Sequence, residues 1–115
     1  MKIFMEILDE KVLVWLQNAR SVKVKLAVYV LYDKNLDAIY IGESENLQNK
    51  FTKYFNTNFE NDPWKQKTYT YQRTFVENPK EQKRQLLEDY KKKHGKMPRC
   101  NADIDWKSVN SSYQM

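Results

Sequence analysis

The sequence predicts a small α+β domain, a three-stranded antiparallel β-sheet flanked by helices, and three local patterns carry that prediction. KTYTYQRTF, residues 67 to 75, alternates: Tyr69, Tyr71, Arg73 and Phe75 point one way and Thr68, Thr70, Gln72 and Thr74 the other, which is the period of a strand. Two runs rich in apolar residues, Lys23 to Tyr32 and Ala38 to Gly42, flank the turn formers Asp33-Lys34-Asn35-Leu36-Asp37 and read as a β-hairpin. Asn78-Pro79-Lys80-Glu81 is a helix start, with Asn78 as N-cap, Pro79 at the first helical position and Glu81 three residues after the cap. That helix runs to about His94, where Gly95 suits a left-handed C-terminal position and Pro98 prevents continuation.

The other elements rest on spacing. From Asp9 to Arg20, Val12, Leu13, Trp15, Leu16 and Ala19 recur at three and four, which predicts a helix capped by Asp9. After Gly42, Ser44 is placed to cap a helix with Leu47, Phe51, Tyr54 and Phe55 on one face and Lys50 and Lys53 flanking it. Residues 56 to 66 read as a loop, and Leu86, Leu87 and Tyr90 form the buried stripe of the last helix, with Glu88 beside it. The order is helix, strand, strand, helix, strand, helix; the last fifteen residues fit no regular pattern.

A chain of 115 residues has room for one domain, 1 to 115, and nothing in it resembles a linker or a repeat. Its 41% hydrophobic and 14% aromatic content outweighs the 30% charge and implies a folded core. No apolar run approaches the roughly 20 residues that span a bilayer, so no membrane partner is expected. Glu6, Asp9 and Glu10 interrupt the start, unlike a signal peptide. A lone Cys100 and a lone His94 exclude an internal disulfide and a Cys/His zinc site, and both residues read as structural or exposed. An intracellular, cytoplasmic protein is expected.

The net charge of +5 is unevenly spread: residues 76 to 100 carry eight Lys or Arg against four Asp or Glu, whereas residues 1 to 20 balance at three of each. Lys91, Lys92, Lys93, Lys96 and Arg99 lie in the basic part, which suits a polyanionic partner such as nucleic acid or a merely solvated helix face.

The residues that suggest chemistry begin on the hairpin. Ala27-Val28-Tyr29 and Tyr40-Ile41-Gly42 are separated by ten residues between their tyrosines, and Glu43-Ser44-Glu45-Asn46-Leu47-Gln48-Asn49-Lys50 follows, with Tyr54 four residues beyond Lys50. This arrangement resembles the core of the GIY-YIG nuclease superfamily, most closely members similar to the excision-repair nuclease. Leu86 to Asn101, LLEDYKKKHGKMPRCN, is similar to the family segment in which Leu-Glu precedes a basic helix end and a Pro-Arg-aromatic-Asn turn. The resemblance covers residues 25 to 102, most of the chain. Ala27 stands where the family has its first glycine, and Lys50 where it has an arginine that holds the scissile phosphate.

The resemblance implies a metal-dependent endonuclease that hydrolyses DNA phosphodiester bonds. Tyr29, Tyr40, Lys50, Tyr54 and Glu88 would be its catalytic residues, and Glu88 would be the single protein ligand of one Mg²⁺ or Mn²⁺. Tyr29 and Tyr40 remain equal candidates for the proton acceptor, and an ammonium at Lys50 would lower a phenol's pKa. Lys keeps the charge of the family's arginine without its planar fork, and Arg73 is a second source of a guanidinium. Lys53, Lys91, Lys92, Lys93 and Arg99 would grip backbone phosphates without reading sequence, while Gly42 and Asn101 would support the site. DNA is the expected partner, branched or damaged DNA among the candidates, with specificity to come from DNA structure, a protein partner or a homodimer. Without the resemblance, the tyrosines are strand aromatics, Lys50 is a solvated lysine and Glu88 pairs with Arg84 or Lys92. A non-catalytic nucleic-acid-binding module and an interaction domain with a reused cleft are the competing readings.

Overall fold

A computed structural model of the chain describes residues 7, 8, 10 and 12–101. Its strands are β1 (Leu13–Val14), β2 (Ala27–Tyr32), β3 (Ala38–Ser44) and β4 (Thr70–Phe75), and its helices are α1 (Trp15–Asn18), α2 (Leu47–Thr57) and α3 (Pro79–His94). The sheet has four strands in the order β1-β4-β2-β3, with every neighbouring pair antiparallel.

The fourth strand corrects the expected three. Leu13 and Val14 pair with Tyr71 and Thr70, and the Trp15 amide donates to the Tyr69 carbonyl at 2.9 Å, so this segment covers what would otherwise be an open edge of β4. Among the described residues, one helical turn, Trp15–Asn18, remains of the helix expected over 9 to 20, followed by a 3₁₀ turn at Ala19–Ser21. Trp15 and Ala19 are buried as the spacing requires, whereas Leu16 is 80% exposed. The expected cap Asp9 lies outside the described residues.

In the hairpin, the Asp33 carboxylate accepts from the amides of Asn35 and Asp37 at 2.9 and 3.0 Å, closing the five-residue turn. The cap of α2 is Asn46, whose side chain accepts from the Asn49 amide at 3.1 Å; Ser44 ends β3 and accepts from the Asn46 amide. Pro79 opens α3 as expected and Gly95, at φ 76°, closes it with its amide on the Lys91 carbonyl, but Asn78 makes no side-chain cap bond. Glu81 pairs instead with Arg84.

Both faces of the sheet are covered, which places the site. On one face Tyr29, Leu31, Tyr40 and Tyr71 pack with Trp15 and with Leu47, Phe51 and Tyr54 of α2. On the other, Val30, Tyr32 and Ile41 meet Leu86, Leu87 and Tyr90 of α3. The polar side of β4 is therefore not solvated: Gln72 is fully buried, accepts from the Tyr32 hydroxyl at 2.5 Å and ties down the carbonyls of Leu8 and Glu10.

Candidate functional site

Sheet register brings the two hairpin tyrosines onto one face. Tyr29 lies opposite Gly42 on β3 and Arg73 on β4, and the next row on that face is Tyr40, Leu31 and Tyr71. Gly42 is the gap that lets the rings meet. A Cβ there would lie 2.4 Å from Tyr29 Cζ and 2.6 Å from Tyr40 Cε2, so no other residue fits without moving both rings. The Tyr29 and Tyr40 ring centroids are 6.0 Å apart, and Tyr54 of α2 completes a triangle through a 2.6 Å contact between its hydroxyl and that of Tyr29.

Cations gather beside these phenols. Lys50 Nζ lies 5.4 Å from the Tyr54 ring centroid, and Lys65 Nζ lies 4.2 Å from that of Tyr40 and 5.5 Å from that of Tyr54. Lys83 of α3 reaches to 5.6 Å from the Tyr40 ring. Glu60 balances part of this charge, with its carboxylate 3.0 Å from Lys65 Nζ, 3.5 Å from Lys50 Nζ and 3.6 Å from Lys53 Nζ. Burial opposes the charge on Glu60, but its hydrogen bond and ion pair with Lys65, then Lys50 and Lys53, outweigh that effect and lower its pKa.

The lysines do not activate the phenols, contrary to the expectation for Lys50. Burial pushes Tyr29 well above the ordinary phenol range, with further upward contributions from Tyr54 and Tyr40. Burial, then Glu60 and Glu43, raises Tyr40 to about 12, and burial likewise raises Tyr54. All three are neutral hydroxyls at neutral pH; those of Tyr29 and Tyr54 are paired with each other, so Tyr40 is the one suited to donate a hydrogen bond to an anion. Tyr40, 7% exposed against 0% for Tyr29 and Tyr54, is the most accessible of the three.

Glu88 stands apart. It lies on α3, which packs on the opposite face of the sheet, and its exposed carboxylate is engaged by the Arg84 guanidinium one turn earlier. Among the described residues no group of three or more His, Cys, Asp or Glu could hold a metal ion. As arranged, Glu88 does not fit the expected Mg²⁺ or Mn²⁺ site beside the tyrosines, because its charge is already directed at the Arg84 guanidinium and its helix packs on the other face of the sheet.

The remaining expected residues divide. Lys53 joins the Glu60 cluster, and Asn101 clamps β3, its Nδ2 donating to the Ile41 carbonyl at 2.9 Å and its Oδ1 accepting from the Ile41 amide at 2.7 Å. Asn101 therefore fixes the helical residues that follow Pro98 to the edge strand β3. Lys91, Lys92 and Lys93 are exposed in the last turn of α3, away from the tyrosines. Arg99 stacks on Trp64, with Cζ 4.2 Å from the ring centroid. Arg73 shares a row with Tyr29, its Cζ 5.2 Å from the Phe75 ring, and its buried Nε has no hydrogen-bond partner among the described residues.

Sequence reasoning missed Glu60 and Lys65, which sit in the segment read as a connecting loop. That segment contains a left-handed turn: Asn58, Phe59, Glu60 and Asn61 have φ of 50°, 58°, 58° and 58°. Such a conformation costs roughly 1–2 kcal/mol for each residue with a bulky side chain. Burial of Phe59, stacked on Tyr54 at 5.2 Å and 5.0 Å from Trp15, offsets that cost. The run of Asn and Asp in the segment is compatible with left-handed backbone, but nothing local indicates that Lys65 is only 5% exposed. Compared with known proteins, the chain matches no family profile, no curated protein and no solved structure.

Proposed function

We propose that this chain is an endonuclease of GIY-YIG type, a phosphodiester hydrolase that engages the DNA backbone at the tyrosine and lysine face. The observation that carries this reading is the convergence of Tyr29, Tyr40 and Tyr54 over Gly42 with Lys50 at their rim. A neutral phenol at Tyr40 and an ammonium at Lys50 are complementary to a phosphate oxygen, one as hydrogen-bond donor and the other as charge. The net charge of +5 favours approach of a polyanion. Glu88 is paired with Arg84 and offers no free carboxylate to a metal at this face.

That same pairing, with the raised phenol pKa values, favours a second reading: a module that binds DNA without cutting it. Incubating the protein with branched, nicked and supercoiled DNA plus Mg²⁺ or Mn²⁺ separates the two. Cleavage that disappears in Tyr40→Phe and in Lys50→Met supports the nuclease at this face. Salt-sensitive binding with no cleavage supports the module, and a Lys50→Arg variant that gains cleavage assigns the loss to the missing guanidinium fork. No DNA binding at low salt rejects both.

A further inference from the structure

Glu60 has no part in either reading, yet three ammonium groups converge on its carboxylate. Lys65, Lys50 and Lys53 have their Nζ atoms 3.0, 3.5 and 3.6 Å from its oxygens, and among the described residues these lysines form no other ion pair. Three positive charges against one negative leave an excess of two at the cluster. Each lysine is attracted to the carboxylate, but one carboxylate cannot balance three ammonium groups, which also repel one another, so the cluster stays positive and suited to a further anionic group.

The backbone beneath Glu60 points the same way. Four successive left-handed residues aim the side chain at the lysines, and strain of this kind concentrates where a chain holds a functional group in place. The backbone of the turn is tied across Glu60, the Asn61 and Asp62 amides donating to the carbonyls of Asn58 and Phe59 at 3.2 and 3.0 Å. Phe59 is buried against Tyr54, whereas the Glu60 side chain is 29% exposed and its amide bonds only to the nearby Thr57 hydroxyl, at 2.8 Å.

We propose that Lys50, Lys53 and Lys65 form a binding site for a phosphate group, occupied in the free protein by the Glu60 carboxylate, whose side chain swings aside when phosphate enters. A carboxylate carries one negative charge and two acceptor oxygens, so it satisfies the cluster incompletely; inorganic phosphate brings more charge and more acceptor oxygens, and a backbone diester brings one charge reinforced by those of its neighbours along the strand. Lys65, held over the Tyr40 ring, is the fixed wall of the site, and the more exposed Lys53 is its mouth. The inference rests on the phosphate-binding part of the reading above and is independent of hydrolysis.

The test is titration of inorganic phosphate, and separately of a short oligothymidylate, into wild type and Glu60→Gln at low ionic strength. The variant is expected to bind at least one of them roughly tenfold more tightly, and Lys65→Met in the same background to abolish the gain. A gain for the oligothymidylate alone assigns the site to backbone phosphate, and a gain for inorganic phosphate assigns it to the free anion as well. Unchanged or weaker binding by a folded Glu60→Gln overturns the proposal. Should that variant not fold, nuclear magnetic resonance of the wild type decides: phosphate must shift the amide signals of Asn58 to Asn61, and shifts confined to other residues overturn it. Loss of the cleavage reading leaves these outcomes untouched, and failure here leaves cleavage to be judged by its own assay.

Discussion

The smallest residue of the site controls its geometry. Gly42 keeps a conformation any residue adopts, so it is required by space alone: the Tyr29 hydroxyl occupies a point 2.5 Å from where a Cβ would be. Gly42→Ala is expected to destabilise the fold by about 1–3 kcal/mol, the usual cost of overpacking a tight core, measured by urea unfolding, and to separate the Tyr29–Tyr54 hydroxyl pair.

The phenols also make stability depend on pH at the alkaline end. Tyr40 is raised to about 12 in the folded protein, mainly by burial, against about 10 in an unfolded chain. Between those values the unfolded state has lost a proton that the folded state keeps, so stability is fully present below pH 10 and falls as pH rises toward 12. Tyr29 and Tyr54 are raised for the same first reason and act in the same direction. Each contributes a slope of up to about 1.4 kcal/mol per pH unit in its window. Denaturant midpoints recorded across this range are expected to drop steeply, with phenolate absorbance from the three residues emerging together with unfolding.

At the scale of elements, α2 carries Lys50, Lys53, Phe51 and Tyr54, and its first turn depends on the Asn46 side chain. Asn46→Ala is expected to cost about 1 kcal/mol in urea unfolding and to increase amide hydrogen exchange through Leu47 to Lys50. The other end of α2 is shaped differently from an ordinary helix stop. Its left-handed cap, Asn58, continues into three more left-handed residues instead of one, which brings the chain back so that Phe59 and Lys65 return to the tyrosine face. β1 has a comparable role on the far edge, where two residues close the sheet and position Trp15 in the centre of the aromatic cluster, 4.7 Å from Phe51 and 5.7 Å from Tyr71.

Across the whole molecule, the sheet divides the chemistry. The face beneath α2 holds the phenols and the lysine cluster, while the face beneath α3 holds an apolar core and puts Glu88 and Lys91 to Lys93 on the far side of that helix. DNA binding is expected to weaken linearly in a plot of log affinity against log salt concentration. Lys50→Ala should reduce the slope by about 1, as for the loss of one phosphate contact. Lys92→Ala, remote from the tyrosines, should reduce it less if the α2 face is the contact; equal reductions would place α3 at the contact as well.

Much of this organisation was legible in the sequence because it is local. The turn formers of the hairpin, Pro79 and Gly95 at the ends of α3, and the alternation of β4 each act within a few residues, so period and capping chemistry determine them. The meeting of Tyr29 with Tyr40 follows from that hairpin and from Gly42 beside them. Only the tertiary structure decided that residues 13 and 14 pair as a strand, because β-pairing depends on an open edge that 57 intervening residues separate from them, Tyr71 lying opposite Leu13. It also decided that Gln72 is buried, that the phenol pKa values rise rather than fall, and that Glu60 and Lys65 enter the site while Glu88 does not. Burial and long-range electrostatics are properties of the packed whole, and no local pattern of residue types encodes which side of a sheet a distant charge will reach.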